Sequence, residues 1–561
     1  MDKDNRTTWQ ETVANKRLRQ QSCIPKEWVI SLPLDKECKD IRNTVLTCGL
    51  LSPRELEITS VSDVGLLLDK LASAEWSAVE VTTAFSKRAI IAHQLTNCLT
   101  EIFIEEALER ASQLDDFLRQ NGRVVGPLHG LPISLKDQFC VSGHESSMGY
   151  VSWLHKLAKN DSAVVKLLRA SGAIFYVKTN IPQTLMWGET FNNVFGRTLN
   201  PYNLSFTPGG SSGGEAALLA LHGSVLGVGT DIGGSIRNPA HFCGIYGFKP
   251  SANRVPTYGI VNSLDGQDAI ASVAGPMSTS LSGIKVFMQA ILSARPWRID
   301  PNVINKPWDT DGYALKQYGE GRKLCFGVVW DDGIIKPQPP VMRALHTAKT
   351  ALEKAGHSVI DWTPHKHAEL IANARAVFLA DGGADYADAL TSGEPLIHSM
   401  KPDADPNQVP EFRRPRDPLT AYQLWQLHKQ RRELRKEYFE VWERSIDSTD
   451  TGRPVDALIC PVSPYAAVPH GEKKSAVYTI IWNTLDCPSL VLPITEVNAE
   501  LDVSVPAHEF RGADDEAVYK LYDPQLFHGL PVGVQIVGYR GEEEATIAIA
   551  ELVEAALKAS I

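Results

Sequence analysis

Six short apolar runs limit what this chain can fold into: "LPISLK" from Leu131, "AIFYVK" from Ala173, "KLCFGVVW" from Lys323, "DALICP" from Asp456, "SLVLPI" from Ser489 and "VGVQIVG" from Val532. Each has strand length and β-branched residues, with little of the polar alternation that a half-exposed strand needs. A strand covered on both faces reads this way, and such strands belong to sheets buried between helices. The helices are legible between them. "SAVE", Ser77 to Glu80, is a capping box opening a helix through Phe85 and Ile91. A second amphipathic pattern runs from Ile104 to Arg119 and stops at Asn121-Gly122, and further helices follow Asp161, span Val341 to Ala355 and close the chain from Glu544 to Leu557. Strand and helix in alternation make this an α/β protein.

No Gly/Ser or Pro linker divides the 561 residues, so one large domain over 61–561 is expected, preceded by a helical N-terminal extension over 1–60. The stretch 296–420 is rich in Pro, Asp and Gly at both ends and reads as a loop-rich insertion over the core. "YQLWQLHKQRRELRKEYFEVWERS", 422–445, is a long helix with Leu424, Leu427, Leu434 and Trp442 on one face. Its basic opposite face is expected to be solvated, which leaves a homodimer open. A net charge of −10 argues against nucleic acid as the main partner. Nine scattered cysteines without a CxxC indicate neither a disulfide framework nor a zinc site, and fit a reducing compartment. No stretch approaches the roughly 18 apolar residues of a membrane span, and no targeting segment is visible, so a cytoplasmic location is expected.

Chemistry concentrates in two glycine clusters, "GGSSGGE" at 209–215 and "GTDIGGSIR" at 229–237. A phosphate cradle is disfavoured, because neither cluster ends in GK[ST] or carries a GxGxxG at a strand-to-helix junction. In the second cluster a serine follows two glycines whose amides lack side-chain cover, the pattern of an oxyanion hole worth roughly 2.7–4 kcal/mol per donor. Ser235 stands where a nucleophile would, although Ile236 and Arg237 rule out a G-x-S-x-G elbow. A serine needs a base. In "GLPISLKD", 130–137, Lys136 ends an apolar strand, and burial there would lower its pKa towards neutrality. The alternative for Lys136 taken alone is an ordinary strand-end lysine paired with Asp137. His129 and His144 flank this motif and suggest a Ser-His pair, yet surface or core histidines are the commoner outcome.

Taken together, "GLPISLKD", "GGSSGGE", "GTDIGGSIR" and "NPAHFCGIYGFKP" resemble, in order and spacing, the amidase signature family of serine hydrolases. Weaker agreement continues through "TNIPQ", "FGRTLNPYN", "GPMSTSL" and "GLPVGVQIVG", over about residues 60 to 555. "KDQF", "GYVSW" and "YTIIWNTLD" look most like its fungal acetamidase-type branch. The resemblance implies a large mixed, twisted sheet with helices on both faces. It implies hydrolysis of an amide C–N bond to an acid and ammonia or an amine, through an acyl-enzyme and without a cofactor or metal. Carried over residue by residue, it makes Ser235 the nucleophile, Ser211 a proton relay preceded by a cis peptide from Gly210, and Lys136 the base. Leu185, Ser211, Ile232, Gly233, Gly234 and Ser235 become the substrate-binding positions, with Met186 and Trp187 divided between pocket wall and core. Asp231 and Arg237 are expected to pair and hold the loop. Two rivals share these motifs: the amidase subunit of a tRNA-dependent amidotransferase, and a catalytically silent binding protein of the same fold.

Overall fold

The computed structural model describes residues 8–30, 39–402, 416–472 and 477–560. In chain order its strands are β1 (Leu99–Ile102), β2 (Pro132–Lys136), β3 (Ile174–Thr179), β4 (Phe191–Asn192), β5 (Gly196–Arg197), β6 (Leu226–Asp231), β7 (Tyr246–Lys249), β8 (Val273–Ser278), β9 (Cys325–Val328), β10 (Ser358–Asp361), β11 (Ala457–Pro461), β12 (Ser489–Glu496) and β13 (Pro531–Val537). All six apolar runs join one eleven-stranded sheet in the order β1-β3-β2-β6-β8-β7-β12-β13-β11-β9-β10, while β4 and β5 form a separate small hairpin. Pairing is parallel from β3 through β2 to β6 and again from β11 through β9 to β10. Between these flanks it is antiparallel, from β6 through β8, β7, β12 and β13 to β11. The sheet is therefore mixed.

Every residue of β2, β3, β6, β8 and β13 is buried. Such strands cannot face water on either side, so helices must cover both faces. The helix Ala78–Thr96 starts at the capping box read from sequence, with the Glu80 N–H donating to Ser77 Oγ at 3.0 Å and the Ser77 N–H to Glu80 Oε2 at 3.1 Å. The next helix, Ile104–Asn121, stops where Gly122 turns left-handed at φ 61°.

The region 296–420 does more than cover the core. It supplies β9 and β10, the outermost strands at one edge of the sheet, and the helix Pro339–Lys354 that packs on β12 and β13. Its irregular stretches flank these elements. In the N-terminal region the helices are Trp9–Ser22, Arg42–Thr47 and Pro53–Ser60. Lys16 ties the first of them to the sheet by pairing with Glu101 on β1 and with Glu145 at 2.9 Å. The basic helix is Ala421–Arg444, which buries Leu434, Tyr438 and Trp442. Leu424 is only half-buried, and so, against expectation, are Arg431 and Arg435, because Tyr438 rather than Leu424 carries the buried stripe. Among the described residues no helix is long and apolar enough to cross a membrane. Cys38 lies outside the described residues, and the other eight cysteines are free thiols.

Candidate active site

The last residue of β2 is Lys136, and the strand carries its side chain into the protein, where it is 0% exposed. Its Nζ lies 2.8 Å from Ser211 Oγ and 2.7 Å from Thr230 Oγ1. Asp137 is not its partner. That carboxylate accepts from Thr100 Oγ1 at 2.9 Å and from the N–H groups of Ser147 and Met148, both at 2.9 Å, and so pins the loop after the strand. Burial pulls the Lys136 pKa down to about 7 against the opposing charges of Asp231, Glu215 and Asp137.

The direction of the hydrogen bonds around Lys136 follows from one side-chain amide. Gln138 Nε2 donates to the Val261 carbonyl at 3.0 Å, which turns Gln138 Oε1 towards Thr230, 2.5 Å away. Only the threonine hydroxyl can supply that hydrogen, so Thr230 Oγ1 must in turn accept from Lys136. A neutral lysine held this way spends one N–H on Thr230 and keeps its lone pair for the hydroxyl of Ser211.

Ser211 follows Gly210 across a cis peptide bond. A methyl group on Gly210 would stand 2.7 Å from the Trp187 carbonyl oxygen and 2.8 Å from the Glu189 nitrogen, so only glycine lets the 184–189 segment close over the Gly210–Ser211 turn. This segment carries Leu185, buried, with Thr184 and Leu185 both left-handed at φ 72° and 61°. Two consecutive left-handed residues other than glycine are uncommon and collect at functional sites. The Ser212 N–H donates to the Ser235 carbonyl at 3.1 Å, joining the two glycine clusters.

The second cluster turns on Asp231, the end of β6. Both carboxylate oxygens meet Arg237, with Nη2 to Oδ1 at 2.9 Å and Nε to Oδ2 at 3.0 Å, and both side chains are fully buried. Arg237 continues to Asn483, the Thr479 carbonyl and Gln535, and Asn483 Nδ2 returns to Asp231 at 2.9 Å. Burial alone would push the Asp231 carboxyl up, but the charge and hydrogen bonds of Arg237, helped by Asn483, hold it well below the usual range. Asp231 also accepts the N–H of Gly234 at 2.8 Å. Of the four amides expected in the oxyanion loop, Gly234 is therefore committed to Asp231. Those of Ile232, Gly233 and Ser235 donate to no group among the described residues. Ser235 is half-buried, and its hydroxyl makes no hydrogen bond among the described residues, to Ser211 or otherwise.

The histidines do not enter this arrangement. His129 Nδ1 accepts from the Val125 N–H at 3.3 Å, and His144 pairs with Glu106 at 3.1 Å. Sequence reasoning missed Glu215, a buried carboxyl that accepts from Ser134 Oγ at 2.6 Å and Thr179 Oγ1 at 3.0 Å. Burial lifts its pKa to about 8 against those two hydrogen bonds and the Lys136 charge. It also missed Gln138, although that residue sits inside "KDQF", and the Thr479–Asn483 helix turn, whose only signal was the phrase "YTIIWNTLD".

The family model described as Amidase matches residues 80–547. The chain belongs to the amidase family. It is 43% identical to an acetamidase of Emericella nidulans over 97% of each chain, and 42% identical to an acetamidase of Aspergillus oryzae over 97% of this chain and 98% of that one. Its fold superposes on a fatty acid amide hydrolase structure with a TM-score of 0.88, at 32% identity, covering 98% of this chain and 95% of the other. The protein is thus an amide hydrolase of the amidase signature fold, related over nearly its whole length to fungal acetamidases.

Proposed function

We propose that this amidase works through a Ser235–Ser211–Lys136 relay and a covalent acyl-enzyme. The observation that carries the reading is Lys136 itself, buried, lowered to about 7 and hydrogen-bonded to Ser211 at 2.8 Å. Neutral Lys136 accepts the Ser211 proton as Ser211 accepts that of Ser235, and Ser235 Oγ attacks the amide carbonyl carbon. The N–H groups of Ile232, Gly233 and Ser235 receive the negative oxygen, while Gly234 serves indirectly by fastening the loop to Asp231. The proton returns through Ser211 to the leaving nitrogen, ammonia or an amine departs, and water repeats the sequence on the ester to release the acid. Leu185, Met186 and Trp187 form the wall next to the relay serine in this reading. The half-buried Ser235 hydroxyl, free of competing hydrogen bonds among the described residues, is in the state a nucleophile needs before substrate arrives.

The names of the two fungal relatives favour a short aliphatic carboxamide as substrate. Their near full-length match also weighs against an amidotransferase subunit, which would co-purify with a second chain, and against a silent binding protein. A fluorophosphonate probe tests the mechanism. Expected is stoichiometric labelling of Ser235 with loss of ammonia release from acetamide; a chain that resists the probe yet turns over the amide would contradict the serine mechanism.

A further inference from the structure

Beyond the catalytic cluster, a cavity of about 380 Å³ shares Gln138 and Thr230 with it, the two residues that orient Lys136. The same cavity is lined by Arg431 and Arg435 of the basic helix, by Arg540 after β13, and by Asp486. Of the carboxylates around these three guanidinium groups, the buried one, Asp486, is already spent. Asp486 Oδ2 accepts from Arg540 Nε at 2.6 Å, and Asp486 Oδ1 from the Ala252 N–H at 2.7 Å. Arg435 keeps one contact, Nη2 to the Thr484 carbonyl at 3.3 Å. Arg431 has no hydrogen-bond or ion-pair partner among the described residues, and the Nε atoms of both Arg431 and Arg435 are buried without an acceptor. Asp265 and Asp268 also border the cavity, but they sit on an exposed turn and pair with none of the three arginines.

This arrangement is costly without an occupant. Residues 431 and 435 stand one helical turn apart on the same face, so their charges repel, and partial burial weakens the screening that water would give them. Burial first, then the charges of Arg435 and Arg540, draw the Arg431 pKa down to about 10 despite Asp486. A planar anion would give the two unpartnered Nε groups their acceptor, and the guanidinium fork matches a carboxylate in two parallel hydrogen bonds.

We propose that Arg431 and Arg435 form a binding site for a small carboxylate anion. Choosing a carboxylate rests on the amidase reading, since the acid that leaves Ser235 is one. The walls between the arginines and Thr230 are chiefly polar, including Asn253, Asn262 and Asn302, which suits a short acid and offers little to a long acyl chain. The acid made at Ser235 and the same acid taken from solution are one ligand chemically, and the site would bind either.

Titration calorimetry of the full-length protein with sodium acetate at constant ionic strength tests the site, with and without Ser235 capped by a fluorophosphonate. Acetate binding should survive the cap. The Arg431→Gln/Arg435→Gln pair should weaken it about tenfold or more, the loss expected for charge-assisted hydrogen bonds. Asp486→Asn should act in the opposite sense and tighten it, because it removes the carboxylate that competes for the arginines. Circular dichroism and thermal unfolding of each variant separate lost binding from lost fold. Absence of acetate binding, binding abolished by the cap, or a double variant that binds like the parent would each overturn the proposal. If the probe failed to label Ser235, the amidase mechanism would fall, whereas the comparison of parent, double variant and Asp486→Asn would still decide the arginine site. Product inhibition assigns the source: acetate inhibition that the double variant relieves marks a product site, and binding without inhibition marks a site for solution anions; both outcomes sustain the carboxylate site.

Discussion

Lys136 and Ser211 are hydrogen-bonded at 2.8 Å through a lysine that Thr230 orients from its other side at 2.7 Å. Residues that pass one proton act as a unit, so their losses do not multiply. Lys136→Ala and Ser211→Ala should each lower kcat by about a thousandfold or more, and the double variant should be hardly worse than the poorer single one. Ser235→Ala should abolish turnover and keep the parent's unfolding temperature, since it opens almost no cavity. Multiplying single-variant effects in steady-state kinetics would refute the relay.

Activity should depend on pH through Lys136. Its folded pKa is lowered to about 7 by burial, and only the neutral amine accepts a proton. Below about pH 7 the amine is charged and kcat/KM should fall with a slope of one; above it the rate should level off. Thr230→Val removes an acceptor for the charged form, so the acid limb should move to lower pH as the rate drops. A limb that stays at its parental position in Thr230→Val would detach it from Lys136.

Glu215 supplies a control. Its charge, where present, supports the charged form of Lys136, but with a pKa lifted to about 8 by burial its carboxyl is largely protonated at neutral pH and that support is mostly withdrawn. Glu215→Gln, neutral and nearly isosteric, should therefore leave the acid limb of kcat/KM within a few tenths of a pH unit of the parent. A downward displacement of a full unit would mean that Glu215 is ionised and supports the charged lysine.

Much of this was legible before the fold. Continuous apolar runs located six of the sheet strands, and motif order singled out Lys136 and Ser211, which the fold brings within 2.8 Å of each other, because a strand end and a bare turn leave strong local marks. What escaped depends on side chains meeting across long sequence distances. Glu215 meets Ser134 from 81 residues away, and Arg237 meets Asn483 from 246. Nothing local in "GGSSGGE" tells a buried protonated carboxyl from a surface one. The stretch 296–420 was harder to read: its run from Lys323 marked β9, but the half-exposed β10, Ser358–Asp361, is too short and too polar to stand out beside it. Helical periodicity placed Arg431 and Arg435 on a basic face but could not show that this face borders a cavity.

Adjacent glycines in the second cluster should differ sharply. Gly234 has φ 125° and a methyl there would lie 2.2 Å from Thr479 Oγ1, whereas one on Gly233 meets nothing closer than Ile480 at 3.8 Å. Gly234→Ala should displace the loop from Asp231, lowering both kcat and the unfolding temperature. Gly233→Ala should fold like the parent, and any loss should fall on kcat because its amide alone is disturbed. Equal destabilisation of the two in thermal unfolding would disprove this account of the loop.

The acyl-enzyme proposed on Ser235 should be open to interception. Hydroxylamine competes with water for the same ester, so it should divert product from acid to hydroxamate in proportion to its concentration. The partition is decided after the amine has left. Two amides with one acyl group and different leaving amines, acetamide and an N-alkylacetamide, should therefore give the same hydroxamate-to-acid ratio even where their rates differ widely. Rapid mixing with the faster substrate should also show a burst of amine ahead of acid if deacylation is the slower step. A ratio that followed the leaving amine would mean that water and hydroxylamine attack the bound amide directly, and Ser235 would then hold the substrate rather than bond to it.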